Sequence, residues 1–257
     1  MTTAALVRCD RAGRTYGTGA NAVVALNEAS CEIAPGQQIA LMGQSGSGKS
    51  TLLHLVAGLD EPTAGTVDWP ALGAKSLLRP GLIGIVFQAP SLLPPLDVTE
   101  NIALPLLLCG TSESTARAAA VEAMELLGLH TLARKLPEEL SGGQAQRVAI
   151  ARVLATRPRL ILADDPTGQL DFETATHVID VLLHAAAITG AALLLNTHDP
   201  LIAERLASQW EMRDGRLSTD RARNDLVRAS SVPTPQLKTT PTLKTTLTRK
   251  TEESPCS

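Results

Sequence analysis

Residues Gly43-Gln44-Ser45-Gly46-Ser47-Gly48-Lys49-Ser50-Thr51 constrain this chain more than any other stretch. They fit G-x-x-x-x-G-K-[ST], the pattern of a loop that cradles phosphates. The glycines let the backbone turn with its N–H groups facing inward, forming an anion-binding nest. Lys49 can reach the outer phosphates, and the Ser50 hydroxyl suits Mg²⁺. An apolar run over 38–42 leads in and helical spacing over 49–58 leads out, so the loop lies between a strand and a helix. The positive end of that helix adds to the attraction for phosphate. A chain of this length matches the pattern by chance on the order of once in a hundred. Nucleotide binding is therefore the first expectation.

Composition narrows the setting. The 257 residues are 44% hydrophobic and 2% aromatic, so a core must rest on Leu, Val, Ile and Ala. No apolar run approaches the ~18 residues needed to span a bilayer, and the longest candidate, 102–109, contains Pro105. The first ten residues lack a basic start followed by an apolar stretch, so no secretory signal is expected. Cys9, Cys31, Cys109 and Cys256 show neither C-x-x-C nor metal-ligand spacing, the usage of reduced thiols. These features predict a soluble, cytoplasmic chain. From Arg221 onward there are seven Lys/Arg and three Asp/Glu, a net +4, which leaves −7 on the first 220 residues. An acidic body argues against nucleic acid as the principal partner. The stretch 221–257, with its Lys-Thr-Thr and Thr-Leu-Lys repeats, has little to bury and reads as a disordered tail. Its spaced cations could touch an anionic membrane surface, although a simply solvated tail is the plainer reading.

Strand patterns at 6–9 and 30–33 precede the loop, with the chain's one tyrosine, Tyr16, between them. Strands at 66–69 and 83–87 follow the first helix, and the second of them ends at Gln88. Residues 98–108 and 112–127 have helical spacing. Leu140-Ser141-Gly142-Gly143-Gln144 opens a helix over 144–156. The apolar run 160–163 delivers Asp164 and Asp165 at its end, the expected place for metal and water chemistry in an α/β sheet. A helix over 172–187 and an apolar strand over 191–195 lead to His198, and Arg213-Asp214-Gly215-Arg216 reads as a hairpin turn. Strands alternating with helices predict an α/β fold with a mostly parallel sheet.

With these residues placed, the chain resembles the ATP-binding subunits of ABC transporters over roughly 6–217. Several motifs fall in the family's order: the phosphate loop, the glutamine Gln88 after Ile85-Val86-Phe87, and the signature 140–144, continuing as Ala145-Gln146-Arg147-Val148-Ala149-Ile150-Ala151-Arg152. After them come the acidic strand end at Asp164, Gly168-Gln169-Leu170-Asp171, and His198 in Asn196-Thr197-His198-Asp199. The resemblance implies a P-loop NTPase core with an N-terminal antiparallel β subdomain and a helical signature subdomain at about 89–157, all within 1–220. It implies that Tyr16 stacks on adenine, that Asp164, Ser50 and Gln88 serve Mg²⁺, that Asp165 polarises the attacking water and that His198 contacts the γ-phosphate. Ser141, Gly142, Gly143 and Gln144 would cap an ATP held by a second copy in a head-to-tail dimer, and Asp171 would tie the copies together. Short strings (Tyr16-Gly17-x-Gly19, Ala25-Leu26-Asn27, Leu92-Leu93-Pro94) are similar to the branch serving lipoprotein release, macrolide export and bacterial cell division. In that branch a separate membrane permease supplies the transmembrane helices. Its docking surface is expected near 88–108, with Leu92, Leu93 and Leu96 exposed, which places the chain peripherally on the inner membrane face.

Two departures stand out. Asp165 occupies a position that is usually Glu, and the shorter side chain reaches roughly 1 Å less, a misplacement that can cost on the order of a hundredfold in rate. Slow hydrolysis with normal ATP binding is expected. The segment 65–83 is short and carries Pro70, Gly73, Pro80 and Gly81, so an irregular loop is predicted there. The competing reading from another class is an ATP-dependent dimerising clamp with little turnover. A DNA-repair ATPase would need a long coiled coil between Gln88 and Ser141, and no sustained heptads lie there.

Overall fold

A computed structural model describes residues 4–222. The expected tail lies outside them, except that Arg221 and Ala222 pair with Gln209 and Ser208 in the last strand. The first two strands are longer than their alternation suggests: β1 spans Val7–Tyr16 and β2 Val23–Ile33. They pair antiparallel through register shifts between Cys9 and Thr15, and Arg11 and Glu28 take positive φ. Such bulges break the period of two that sequence reading depends on. β4 (Ala64–Asp68) completes a three-stranded antiparallel sheet in the order β2-β1-β4.

The larger sheet has the order β5-β6-β7-β3-β8-β9, comprising β5 (Ile83–Val86), β6 (Leu160–Asp164), β7 (Ala192–Thr197), β3 (Gln38–Met42), β8 (Ser208–Arg213) and β9 (Arg216–Ala222). All its neighbours run parallel except the β8–β9 hairpin, which is the predicted α/β class. Along β6, Leu160 and Leu162 pack on one face and Ile161 and Ala163 on the other. Helices α2 (Val98–Leu108), α3 (Glu113–Leu126), α4 (Gly142–Leu154) and α5 (Phe172–Thr189) lie with one apolar cluster, and α1 (Lys49–Val56) with the other. A sheet covered on both faces explains why its strands read as continuous apolar runs. A last short helix, α6 (Pro200–Ala203), follows β7.

The stretch 65–83, predicted as an irregular loop, is more ordered than that: it begins in β4, carries a 3-10 turn at Lys75–Leu77 and a π-helical turn at Leu78–Leu82, and is well anchored. Trp69 Nε1 donates to the Val56 carbonyl at 2.9 Å, Arg159 Nη1 donates to the Ala71 carbonyl at 2.7 Å, and Leu78 is fully buried.

Candidate nucleotide site

Strand order decides which loops meet. β3, β6, β7 and β5 are parallel neighbours, so the segments leaving their carboxyl ends emerge along one edge: the phosphate loop, Asp164-Asp165, His198 and Gln88. A cleft of about 660 Å³ is lined there by Lys49, Ser50, Gln88, Asp164, Asp165 and His198 together with loop residues. A second cleft of about 650 Å³ lies against the other side of the loop, beside the β8–β9 turn.

The loop is built around its own backbone. Gly48 has φ 107°, and a Cβ there would run into the Ala25 carbonyl of β2. The Gly215 N–H supports the Ser47 carbonyl at 2.9 Å. Helices α2 to α6 each begin on a capping side chain, from Asp97, Ser112, Ser141, Asp171 and Asp199, whereas α1 begins on Gly48 with none. Its first N–H groups are left for a ligand. Ser47 Oγ is buried without a partner among the described residues, and Lys49 Nζ rests on the Gly43 and Gln44 carbonyls at 2.8 and 2.9 Å. An orphaned hydroxyl, a cation held by carbonyls alone and an uncapped helix end fit a polyphosphate. Burial lowers the Lys49 ammonium below its ordinary pKa, while Asp165 and Asp164 pull the other way.

The acidic pair splits its roles. Asp164 Oδ1 accepts from Ser50 Oγ at 3.0 Å and from Asn196 Nδ2 at 2.8 Å. Oxygens from Ser50, Asp164 and Gln88 on one cleft wall are the donor set a hard cation with retained waters prefers. Asp165 has a left-handed backbone, φ 46°, in the tight turn closed by the Gly168 N–H on the Asp165 carbonyl at 3.2 Å. Its Oδ2 lies 3.4 Å from His198 Nδ1, and its Oδ1 is buried without a partner among the described residues. A Cβ on Gly168 would lie 2.5 Å from Asp165 Oδ2 and 2.8 Å from Gln88 Nε2. Glycine there is what allows the two functional groups to approach one another.

Other predicted site residues lie elsewhere. Ser141, Gly143 and Gln144 line a separate surface pocket with Arg147, Glu173 and Thr174. Ser141 and Gln144 form a capping box at the start of α4, with the Gln144 N–H on Ser141 Oγ at 3.3 Å and the Ser141 N–H on Gln144 Oε1 at 3.0 Å. Gly143 packs so closely on Thr174 that a side chain would collide, and Gly142 lies tight against the end of Leu170. Asp171 Oδ1 accepts from the Thr174 N–H at 3.0 Å, capping α5, and that hydrogen bond lowers its pKa. Tyr16 lines neither cleft. Its hydroxyl donates to Asp60 at 2.9 Å, the Arg14 guanidinium lies 4.7 Å from its ring centroid, and the residue is 38% exposed. Arg14 also pairs with Asp60 at 2.8 Å. Burial pushes Asp60 up, but hydrogen bonds from the Glu61 N–H and Tyr16, with the Arg14 charge, hold it below the usual carboxylate value.

Sequence reading assigned no role to Asn196, Asn101, Gln146 or Arg152. Asn196 is fully buried, and its signal was available: a polar residue ending the apolar strand β7. Asn101, also fully buried, bonds Leu93, Leu96 and Asp97 and shapes the turn before α2. The helical pattern of 98–108 gave no hint of this role.

Comparison with known proteins agrees with this geometry. The ABC transporter family profile matches residues 26–168. The chain is 41% identical over 221 residues to the lipoprotein-releasing system ATP-binding protein LolD of Bordetella pertussis, covering 83% of this chain and 96% of that one. It is similar to the ATP-binding cassette MJ0796 in a dimeric post-hydrolysis state bound to ADP and Pi, with 35% identity and TM-score 0.73 over 84% of this chain and 99% of that one. It is also similar to cbiO1 of Clostridium perfringens, part of the ABC transporter complex cbiONQ, with 26% identity and TM-score 0.74 over 87% of this chain and 91% of that one. A phosphate loop, a paired-acid strand end and a histidine around one cleft, in a chain with these relatives, make it an ATP-binding ATPase subunit of the ABC transporter family.

Proposed function

We propose that the chain supplies ATP energy to a separate membrane permease of the lipoprotein-releasing type, working as a head-to-tail pair on the inner membrane face. One observation carries this reading: residues 141–144 lie in a pocket of their own, away from the cleft that holds Lys49, Asp165 and His198. A site built this way is half complete, and a second copy's α4 N-terminus would supply the missing donors. The relatives' printed descriptions, a lipoprotein-releasing subunit and a dimeric cassette, support the partner class and the pairing. Among the described residues no helix is long and apolar enough to cross a membrane.

In this reading Lys49 leaves the loop carbonyls for the β- and γ-phosphates, the loop N–H groups hold the chain of phosphates, and Tyr16 offers its ring to adenine. Ser50, Asp164 and Gln88 would hold Mg²⁺, which would neutralise charge on the phosphate oxygens. Asp165 accepts a hydrogen bond from the attacking water, and His198, beside it, orients toward the γ-phosphate. Asp171 contributes at the dimer seam in addition to its capping role. The permease docks beside the Gln88 loop. There Phe87, Leu93, Leu107 and Leu108 are exposed, whereas Leu92 packs on the core and Leu96 is half-buried.

The short Asp165 side chain supports a slow hydrolytic step. The Asp165→Glu variant is expected to turn over ATP ~10–100-fold faster than the natural chain, the range attached to ~1 Å of misplacement. Equal rates, alone and with the permease, would sink the slow-step reading. The second reading, a clamp, is favoured by the same residue: it predicts a stable ATP-bound dimer with turnover near background, measured by sizing and phosphate release on one sample.

A further inference from the structure

The loop that carries Gln88 has no regular structure, and Gln88 itself is exposed. Its stretch 87–91 is nevertheless held by two side chains of one helix, while Asn101 of α2 holds the later part of the loop at Leu93 and Leu96. Gln146, 1% exposed, donates from Nε2 to the Phe87 carbonyl at 3.0 Å. Arg152 donates from Nη1 to the Ser91 carbonyl at 2.9 Å and from Nη2 to the Pro90 carbonyl at 3.0 Å. Both residues belong to α4. Carbonyls on either side of Gln88 are thus fastened to one rigid helix. Ser91 takes φ +51°, a left-handed conformation that is strained for a non-glycine residue and persists only when its surroundings over-determine it. Arg152 makes no ion pair with a carboxylate among the described residues. Its desolvated charge is met by the loop's carbonyl dipoles, and burial lowers its pKa. The fork geometry of a guanidinium suits two adjacent carbonyls, and an ammonium could not span them in the same way.

The other end of α4 is the capping box at Ser141 and Gln144. At 1.5 Å per residue the helix places Arg152 roughly 16 Å from Ser141. We infer that Gln146 and Arg152 are positioning residues that make residues 141–144 and Gln88 parts of one body. Closure of one nucleotide site by a copy's signature turn then sets Gln88 in that same copy's own site. This rests on the head-to-tail pairing proposed above. It adds a route by which the two sites of the pair sense each other, through hydrogen bonds rather than through the permease.

The test uses the full chain and the variants Arg152→Lys and Gln146→Met, which retain charge and volume respectively, with thermal melts to verify folding. Hydrogen exchange of residues 87–91 and 141–144 is followed with and without ATP, alongside dimer mass and single-turnover hydrolysis. In the natural chain both segments gain protection together on ATP addition. In the variants, residues 141–144 still gain protection and ATP binds within ~2-fold, but residues 87–91 exchange as in the ATP-free protein and the hydrolysis rate falls ~10–100-fold. Combining both changes should lower the rate little further, because either alone frees the loop. Protection of 87–91 at the natural level in both folded variants would overturn the inference while leaving the pairing intact. A natural chain that stays monomeric with ATP, with residues 141–144 unprotected, would instead overturn the pairing, and the linkage between sites with it. If the variants lose protection in both segments alike and melt early, the two residues are structural only and the positioning role is wrong.

Discussion

Replacing Asn196 by aspartate would test whether the acidic strand end is held as described. Asn196 is fully buried, its Nδ2 lies 2.8 Å from Asp164 Oδ1, and its Oδ1 has no partner among the described residues. In Asn196→Asp that donor becomes a second carboxylate. Two unit charges 2.8 Å apart repel by about 6 kcal/mol at an effective dielectric of ~20. The pair avoids this by sharing a proton, so one folded-state pKa rises well above the ~3.9 of an unfolded aspartate. The native state then binds more protons than the unfolded chain, and stability falls as pH rises through that window. With side-chain relaxation, a loss of ~2–4 kcal/mol relative to the natural chain is expected at pH 8, largely recovered at pH 5. Urea unfolding in EDTA reads this directly, since a bound cation would mask it. Asn196→Leu is the control. It removes a charged hydrogen bond (about 1.5–3 kcal/mol) but also an unsatisfied carbonyl (about 1–3 kcal/mol), so its net change should be small and independent of pH. If Asn196→Asp tracks the natural chain from pH 5 to 8, Asn196 does not hold Asp164 and the geometry assigned to the strand end is wrong.

Two further outcomes follow from the phosphate loop. Gly48→Ala should abolish ATP binding and cost at least ~2 kcal/mol of stability, because its Cβ meets backbone of β2 and its φ is left-handed; equilibrium dialysis and a melt check it, and wild-type affinity would refute the close approach. Lys49 is lowered by burial, and phosphates would raise it again on binding. ATP binding at alkaline pH below the ordinary lysine range should therefore take up protons and weaken as pH rises through the lowered value. Calorimetry in two buffers of different ionisation enthalpy measures the uptake, and Lys49→Arg, always charged, should abolish it.

The redox reading of the cysteines shows where sequence spacing stops. Cys9 and Cys31 are far apart in the chain and show no motif, yet they are direct partners across β1 and β2. The Cys31 thiol is pushed well up by a hydrogen bond with Cys9 and by burial, so the pair behaves as a small apolar contact in the core. Similarly, the Pro and Gly residues of 65–83 suggested an irregular loop where part of β4 and two short helical turns lie, and only the break in long regular structure was legible. The anchorage of that stretch through Trp69 and Arg159 was not, because those bonds join residues whose nearness depends on the sheet.

What sequence alone determined were features carried by contiguous backbone: the phosphate loop between β3 and α1, the Gly-containing turn that opens α4 (though the helix starts at Gly142 rather than Gln144), and the apolar run that ends in Asp164 and Asp165. In each, spacing of a few residues fixes the local geometry, because turn, cap and strand period are short-range physics. The tertiary structure decided which of these share a cleft. Parallel pairing in the order β5-β6-β7-β3 gathers Gln88, Asp165, His198 and Lys49 from four separate segments, and that order is a matter of long-range pairing and of covering both faces of the sheet, which no local window contains. For the same reason only the fold could set residues 141–144 apart from the cleft and fasten the Gln88 loop to α4 across about sixty residues of chain.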